Sequence, residues 1–224
     1  LLGRLIKRTE LEGISAWEYD TAAKGIGKLA RVTAGSGAGA YVETHSYDAL
    51  GRPQSTQTTI GGLIYAQSIT YDAFSRPTTT TLPTGLVVKN VYNTQGFLTE
   101  VRNGISNILY WQAMAVNARG QTVEEKLGNG LSTLRAYNNT NGLVQGISTG
   151  NGAVQNLSFQ FDSLGNLTQR QDINQSLTEI FSYDNLNRLT AVTLNSTPTK
   201  TYQYDKVGNI TFKSDMGTYL YQRS

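Results

Sequence analysis

The sequence predicts an all-β protein, an array of antiparallel β-hairpin repeats, and three observations carry that reading. First, the heptad Tyr47-Asp48-Ala49-Leu50-Gly51-Arg52-Pro53 returns from Tyr71-Asp72, Phe161-Asp162, Tyr183-Asp184 and Tyr204-Asp205, with degenerate copies from Tyr19, Tyr92, Val116 and Tyr137. Second, these anchors recur about every 23 residues with another turn signal inside each interval, so each period holds two strands. Third, the segments between turns alternate with period two, as strands with two different faces do. The predicted array runs over the whole of 1–224 as about eight repeats of about 23 residues, with partial repeats at both ends and no separate domain.

Each turn has readable chemistry. In Asp-x-x-Gly the carboxylate accepts hydrogen bonds from backbone N–H groups two residues on, and Gly supplies the positive φ that closes a type I turn with a G1 bulge. Gly51, Gly165 and Gly208 fill that place, whereas Ser75 and Asn187 stand in for Gly. Serine tolerates this conformation less well than asparagine, so the turn at Ser75 is expected to differ in shape. The second turns read Gly61-Gly62, Thr84-Gly85, Asn103-Gly104, Asn129-Gly130, Asn151-Gly152, Asn174-Gln175, Asn195-Ser196 and Met216-Gly217, with Glu12-Gly13 near the start. Asn-Gly and Gly-Gly suit the two-residue type I′ turn. Ala34-Gly35-Ser36-Gly37-Ala38-Gly39-Ala40 reads as a flexible loop.

Between the turns, the residue two before each anchor shares its sheet face. That column is Trp17, His45, Ile69, Asn90, Met114, Arg135, Phe159, Phe181 and Tyr202. Another column, two after the Gly position, runs Pro53, Pro77, Leu98, Thr122, Val144, Leu167, Leu189 and Ile210. Stacked strand on strand, such columns become cross-strand pairs worth roughly 0.2–1 kcal/mol each. No segment reads as a helix; Glu124-Glu125-Lys126-Leu127 comes nearest and stops at Gly128.

Composition narrows the function classes. Hydrophobic residues make up 38% and charged residues 16%, too few charges for a disordered polyelectrolyte. The formal charge of +3 is scattered rather than gathered into a basic patch, which argues against nucleic acid as a partner. No stretch approaches the length of an apolar membrane span. With 0 cysteines there is neither a disulfide framework nor a thiolate metal site.

Candidate chemistry is sparse. Equivalent turn aspartates such as Asp48 and Asp72 lie two strands apart, on the order of 10 Å. One calcium ion with ligands at about 2.4 Å cannot bridge them, so they read as turn caps and no metal or cofactor is expected. His45 is the sole histidine, and Glu43 shares its face, so an acid–base couple is conceivable. Its column is filled elsewhere by packing residues, which makes His45 one of them. Gly25-Ile26-Gly27-Lys28 lacks the spacing of a phosphate loop, and no Gly-x-Ser-x-Gly elbow is present, so an enzyme is not expected. Trp17 and Trp111 stand apart from the tyrosine anchors and are the candidate ligand contacts, for a glycan or another cell surface.

Tyr-Asp-Ala-Leu-Gly-Arg at 47–52 and its copies closely resemble the YD repeat of the RHS (rearrangement hot spot) family. That family includes bacterial polymorphic toxins, the B and C components of Tc toxin complexes, and animal teneurins. The resemblance covers essentially the whole chain, and the details look bacterial. It implies a long β-sheet curved and spiralling into a hollow shell, which in toxins encloses a C-terminal effector. The motif residues, Tyr47, Asp48, Gly51, Arg52, Tyr71, Asp72, Phe161, Asp162, Gly165, Tyr183, Asp184, Tyr204, Asp205 and Gly208, would then be structural. Partners implied are the remainder of the shell and the enclosed effector, in a secreted or surface-displayed bacterial protein. Self-cleavage in the family depends on aspartates in a segment after the repeats; no counterpart precedes Gln222-Arg223-Ser224, so no such role passes to a residue here. Leu1-Leu2-Gly3-Arg4-Leu5 reads as the second half of a heptad, and the chain as a piece of a longer array. Unpaired edge strands of such a piece are expected to self-associate.

Overall fold

The computed structural model describes residues 3–11 and 13–221. Leu1, Leu2, Glu12 and Gln222-Arg223-Ser224 lie outside them, and with them parts of the first half-heptad and of the Glu12-Gly13 turn. Two compact units divide the chain, Leu1–Tyr110 and Trp111–Ser224. The first carries β1 (Lys7–Glu10), β2 (Gly13–Tyr19), β3 (Leu29–Ala34), β4 (Tyr41–Tyr47), β5 (Pro53–Ile60), β6 (Leu63–Tyr71), β7 (Pro77–Thr81), β8 (Val87–Tyr92) and β9 (Leu98–Asn103). β10 (Leu109–Val116) contains the boundary. The second unit continues with β11 (Thr122–Leu127), β12 (Ser132–Tyr137), β13 (Val144–Thr149), β14 (Gln155–Phe161) and β15 (Leu167–Asp172). It ends with β16 (Leu177–Tyr183), β17 (Leu189–Leu194), β18 (Thr197–Tyr204), β19 (Ile210–Lys213) and β20 (Gly217–Thr218).

Within each unit successive strands pair antiparallel, from β1 with β2 to β8 with β9, and from β10 with β11 to β19 with β20. The all-β hairpin array is thus present, two strands to a repeat. At each heptad the register slips by one residue: Ser46 faces Ser55 while Tyr47 faces Pro53, and Gln160 faces Gln169 while Phe161 faces Leu167. This is the bulge that the turn glycine permits.

Pairing and alternation sort the side chains. In the first unit Glu43, His45 and Thr56 share the anchor face with Tyr47, while Thr44, Ser46, Ser55 and Gln57 occupy the other. In the second unit Phe159 and Phe181 share the anchor face with the ion pair of Arg170 and Glu179, whereas Ser158, Gln160, Gln169 and Gln171 lie opposite. Around these anchors one face is aromatic and ion-paired and the other is hydroxyl and amide, whereas at β8–β9 the ion pair of Glu100 and Arg102 lies on the face opposite Tyr92. Burial is shallow. Among the described residues only Gly25, Ala30, Thr133, Thr149 and Val192 are buried. Stability must come from ladders and side-chain rungs rather than from a closed core.

Four sequence expectations need correction. The turn at Ser75 does not differ: Ser75 takes φ 64° against 72° for Gly51, and both turns close with the same pair of backbone hydrogen bonds. The conformation is held because Arg52 donates to Ser75 Oγ at 2.9 Å while Asp72 caps the turn. Met114 leaves its column, since the ladder passes from Ala113 to Ala115 and leaves Met114 as an exposed bulge residue.

The type I′ expectation holds for Gly61-Gly62, with positive φ twice, and Asn195-Ser196 uses the same device. At Asn129-Gly130 only the glycine is at positive φ, because the Asn129 side chain instead caps the N–H of Leu131. At Asn103 the side chain caps Ile105 and Ser106, and the positive φ moves on to Asn107. The 34–40 stretch holds a single 3-10 turn, Gly37–Gly39, closed by the Ala40 N–H donating to the Gly37 carbonyl.

Candidate functional site

The repeated heptads assemble one kind of node, made of an aspartate, a cation and the tyrosine of the following repeat. Asp48 Oδ1 accepts from the N–H groups of Leu50 and Arg52 at 2.9 and 2.8 Å. Its Oδ2 receives Arg52 Nε at 2.6 Å. Asp72 with Arg76 and Asp184 with Arg188 repeat both contacts. Where asparagine replaces the arginine, at Asn166 and Asn209, its amide still reaches the aspartate at 2.9 Å. Asn93 and Asn117 serve as caps where the aspartate itself is replaced.

The cation then reaches forward. Arg52 lies 4.3 Å from the centre of the Tyr71 ring, Arg76 4.5 Å from that of Tyr92, and Arg188 4.7 Å from that of Tyr204. Arg4 sits likewise over Tyr19, and Lys28 over Tyr47. Arg4 differs in pairing with Asp20, the aspartate of the following heptad.

The tyrosine reaches back. Tyr71 O–H donates to the Pro53 carbonyl at 2.7 Å, Tyr183 to Leu167 at 2.9 Å and Tyr204 to Leu189 at 2.7 Å. Tyr47, Tyr92, Tyr137 and Tyr221 do the same to Leu29, Pro77, Thr122 and Ile210. Each accepting residue past the first heptad belongs to the column two after the Gly position. That column was visible in the sequence as apolar side chains; its use through the carbonyls was not. The readable signal was the fixed spacing between anchor and column. Phe161 and Val116 lack the hydroxyl and make no such bond.

Electrostatics follow the contacts. The Arg52 guanidinium, more than any other group, holds the Asp48 carboxyl below the usual carboxylate range. The Asn166 amide leads in doing so for Asp162, and the Arg188 backbone N–H leads for Asp184. Burial pushes the phenols of Tyr47 and Tyr183 up.

The remaining candidates are also engaged. Trp111 Nε1 donates to Glu125 at 2.7 Å, and Arg135 donates to the other Glu125 oxygen at 2.6 Å. Trp17 is half-buried on β2, opposite Val32. The structure does bring His45 and Glu43 together. Nε2 lies 2.9 Å from Glu43 Oε1 but off the line of a hydrogen bond, and Nδ1 is 3.3 Å from Thr56 Oγ1. Tyr41 O–H donates to the second Glu43 oxygen. The group is a rung of neighbouring side chains on one face of β4 and β5. Among the described residues no group of three or more His, Cys, Asp and Glu is placed to hold a metal ion.

Residues 112–222 match the family model described as Teneurin YD-shell. No curated protein matches. Among solved structures the chain is similar to the crystal structure of TcdB2-TccC3, with a TM-score of 0.67 at 16% identity over 97% of this chain. It is also similar to the TcdB2-TccC3-Cdc42 crystal structure, at 0.66 and 16% over 97%. The Photorhabdus luminescens Tc holotoxin pore with mutated TccC3 gives 0.64 and 16% over 96%. In each case the chain spans 15% of the length of the chain it matches. The heptad, the family model over residues 112–222 and the fold together support an RHS/YD-repeat shell fragment.

Proposed function

We propose that this chain is a length of shell wall whose parent encloses a toxic C-terminal effector in a bacterial secreted or surface-displayed toxin. The observation that carries this reading is the use made of the repeated polar residues. Every full heptad spends its aspartate on its own turn, and its cation, where it has one, on that aspartate and the next repeat's ring. Each clamping tyrosine ties its hairpin to the one before. Side chains consumed in this way build a wall and leave no repeated group free for chemistry. The whole of 1–224 is proposed to act as one continuous array, and effector and remaining shell as its partners.

The glycan reading has less support, because the Trp111 indole N–H is already committed to Glu125. A glycan array in which binding disappears with Trp111→Ala would favour it over the wall. The wall reading is tested in the full-length parent protein. The C-terminal effector is expected to resist added protease while the repeats are intact and to be digested once they are unfolded. An effector digested equally fast in the native protein overturns the reading.

A further inference from the structure

One hollow in the second unit has a chemistry that the heptads do not use. It is an open depression of about 310 Å³ on the anchor face of β14 to β17, walled by Leu157, Leu177 and Leu194. Its cause is a short side chain in a row of longer ones. Asp172 pairs across the ladder with Leu157 on one side and Leu177 on the other. It is shorter than either, and its Oδ1 accepts from the Gln175 N–H of its own turn at 3.1 Å. The carboxylate is thereby drawn toward the turn, and a hollow is left between the leucines. In the adjoining row Arg170 faces Glu179, and Glu179 faces Leu194.

The two acids of this hollow differ from those that hold the turns and rungs. Asp48 engages both of its carboxylate oxygens, and so does Glu125. Asp172 engages only Oδ1. Glu179 engages only Oε2, because Nε and Nη2 of Arg170 both reach that one oxygen, at 2.6 and 2.5 Å. Asp172 Oδ2 and Glu179 Oε1 therefore accept nothing from the described residues. The two acids are diagonal neighbours on the ladder, about 7–8 Å apart. With one arginine set against two carboxylates, the hollow keeps an uncompensated negative charge.

We infer that this hollow is a docking site for a lysine side chain presented by another polypeptide. The leucines suit its four-carbon stem, since such stems bury along apolar surface while the charged head stays at a polar rim. An ammonium carries three rotatable donors and can meet two separate oxygens at once. An arginine suits the hollow less well. Its planar fork seeks both oxygens of one carboxylate, and each acid here has already committed one. The hollow is open, with Arg170 49% and Glu179 27% exposed, so a side chain enters while its backbone stays outside. Its volume lies at the lower end of the roughly 300–1,000 Å³ of ligand pockets, enough for one side chain rather than a folded segment.

The test is saturation-transfer NMR on the 224-residue chain with three capped amino acids, the N-acetyl N-methylamides of lysine, norleucine and arginine. The measurement tolerates weak binding and associated protein. The lysine probe is expected to bind at least about tenfold more tightly than norleucine, which keeps the stem and lacks the ammonium, and more tightly than arginine. Asp172→Asn keeps the capping oxygen and removes the charge, so it should weaken the lysine probe by about tenfold and leave norleucine unchanged. Glu179→Gln should do the same, and it serves if Asp172→Asn disturbs the strand circular dichroism. Leu177→Ala should weaken lysine and norleucine alike. A lysine probe that does not bind, that binds no better than norleucine or arginine, or that is unmoved by both charge variants overturns the docking site. The probes are free amino-acid derivatives, so none of these outcomes bears on the wall reading, which rests on the effector-protection experiment.

Discussion

The hydroxyl of an anchor tyrosine is the smallest unit on which this molecule's repetition depends. At Tyr204 the ring lies under Arg188 and the O–H donates to the Leu189 carbonyl, so Phe keeps the stacking and loses only the hydrogen bond. A neutral hydrogen bond of this kind is worth about 0.5–1.5 kcal/mol. Tyr204→Phe is therefore expected to lower unfolding free energy by that amount in urea titration, and Tyr204→Ala by more. Equal losses for the two would place the energy in the hydroxyl alone, and no loss in Tyr204→Phe would place it in the ring. The aspartates carry a second residue-scale expectation. The folded-state pKa of Asp48, Asp162, Asp184 and Asp205 lies below the ordinary carboxylate value. Their contribution is present above the unfolded pKa of about 3.9 and is lost as pH falls through the lower folded value. The thermal midpoint should hold from neutral pH to about pH 5 and fall below about pH 4. Asp184→Asn keeps a capping oxygen, as Asn93 and Asn117 do, and should flatten part of that acid limb. An unchanged limb in this variant and its counterparts at Asp48, Asp162 and Asp205 would show that other groups set it.

At the scale of a hairpin, the turn residues decide geometry in two ways. Where a heptad turn closes, a single residue at positive φ suffices, and Gly51, Ser75 and Asn187 all supply it. Where β8 meets β9, glycine matters for space. The Gly104 N–H donates to the Val87 carbonyl, and a Cβ at Gly104 would stand 2.4 Å from Val87 Cγ1. Overpacking of this kind typically costs about 1–3 kcal/mol. Gly104→Ala should destabilise the chain by about that much, and Gly104→Ala with Val87→Ala should recover most of it. No recovery in the double variant would mean that the backbone, not the valine, is the obstacle. Asn103-Gly104 shows why turn types were only partly legible. An Asn-Gly pair fits a type I′ turn by backbone preference, but the Asn103 side chain found two N–H groups to cap and drew the positive φ to Asn107. Local side-chain competition of this sort depends on which donors the strand register brings near.

For the molecule as a whole, each hairpin is supported mainly by its neighbours, as in other repeat arrays. Central hairpins of a unit therefore gain from both sides and terminal ones from one. Amide exchange should be slowest in β14 to β17 and fastest in β1 and in the two-residue β20. Uniform protection along the second unit would mean that its repeats open together. The edge strand β1 carries Lys7, Arg8 and Glu10, with Arg8 and Glu10 paired at 2.8 Å. Charges on an edge discourage strand addition.

The strands, their two-per-repeat order and the identity of the anchor face were determined by sequence, because period-two alternation and turn chemistry are local and recur often enough to be read against each other. Asp48 and its counterparts were legible as caps for the same reason: a carboxylate three residues before a glycine meets its donors within the turn. What only the tertiary structure decided is how one repeat grips the next. The tyrosine-to-carbonyl clamp and the cation laid over the following ring join residues 11 to 19 positions apart. Which of them meet depends on register and on the one-residue bulge at each anchor. That slip is an accumulation of backbone geometry over two strands, and no single residue announces it.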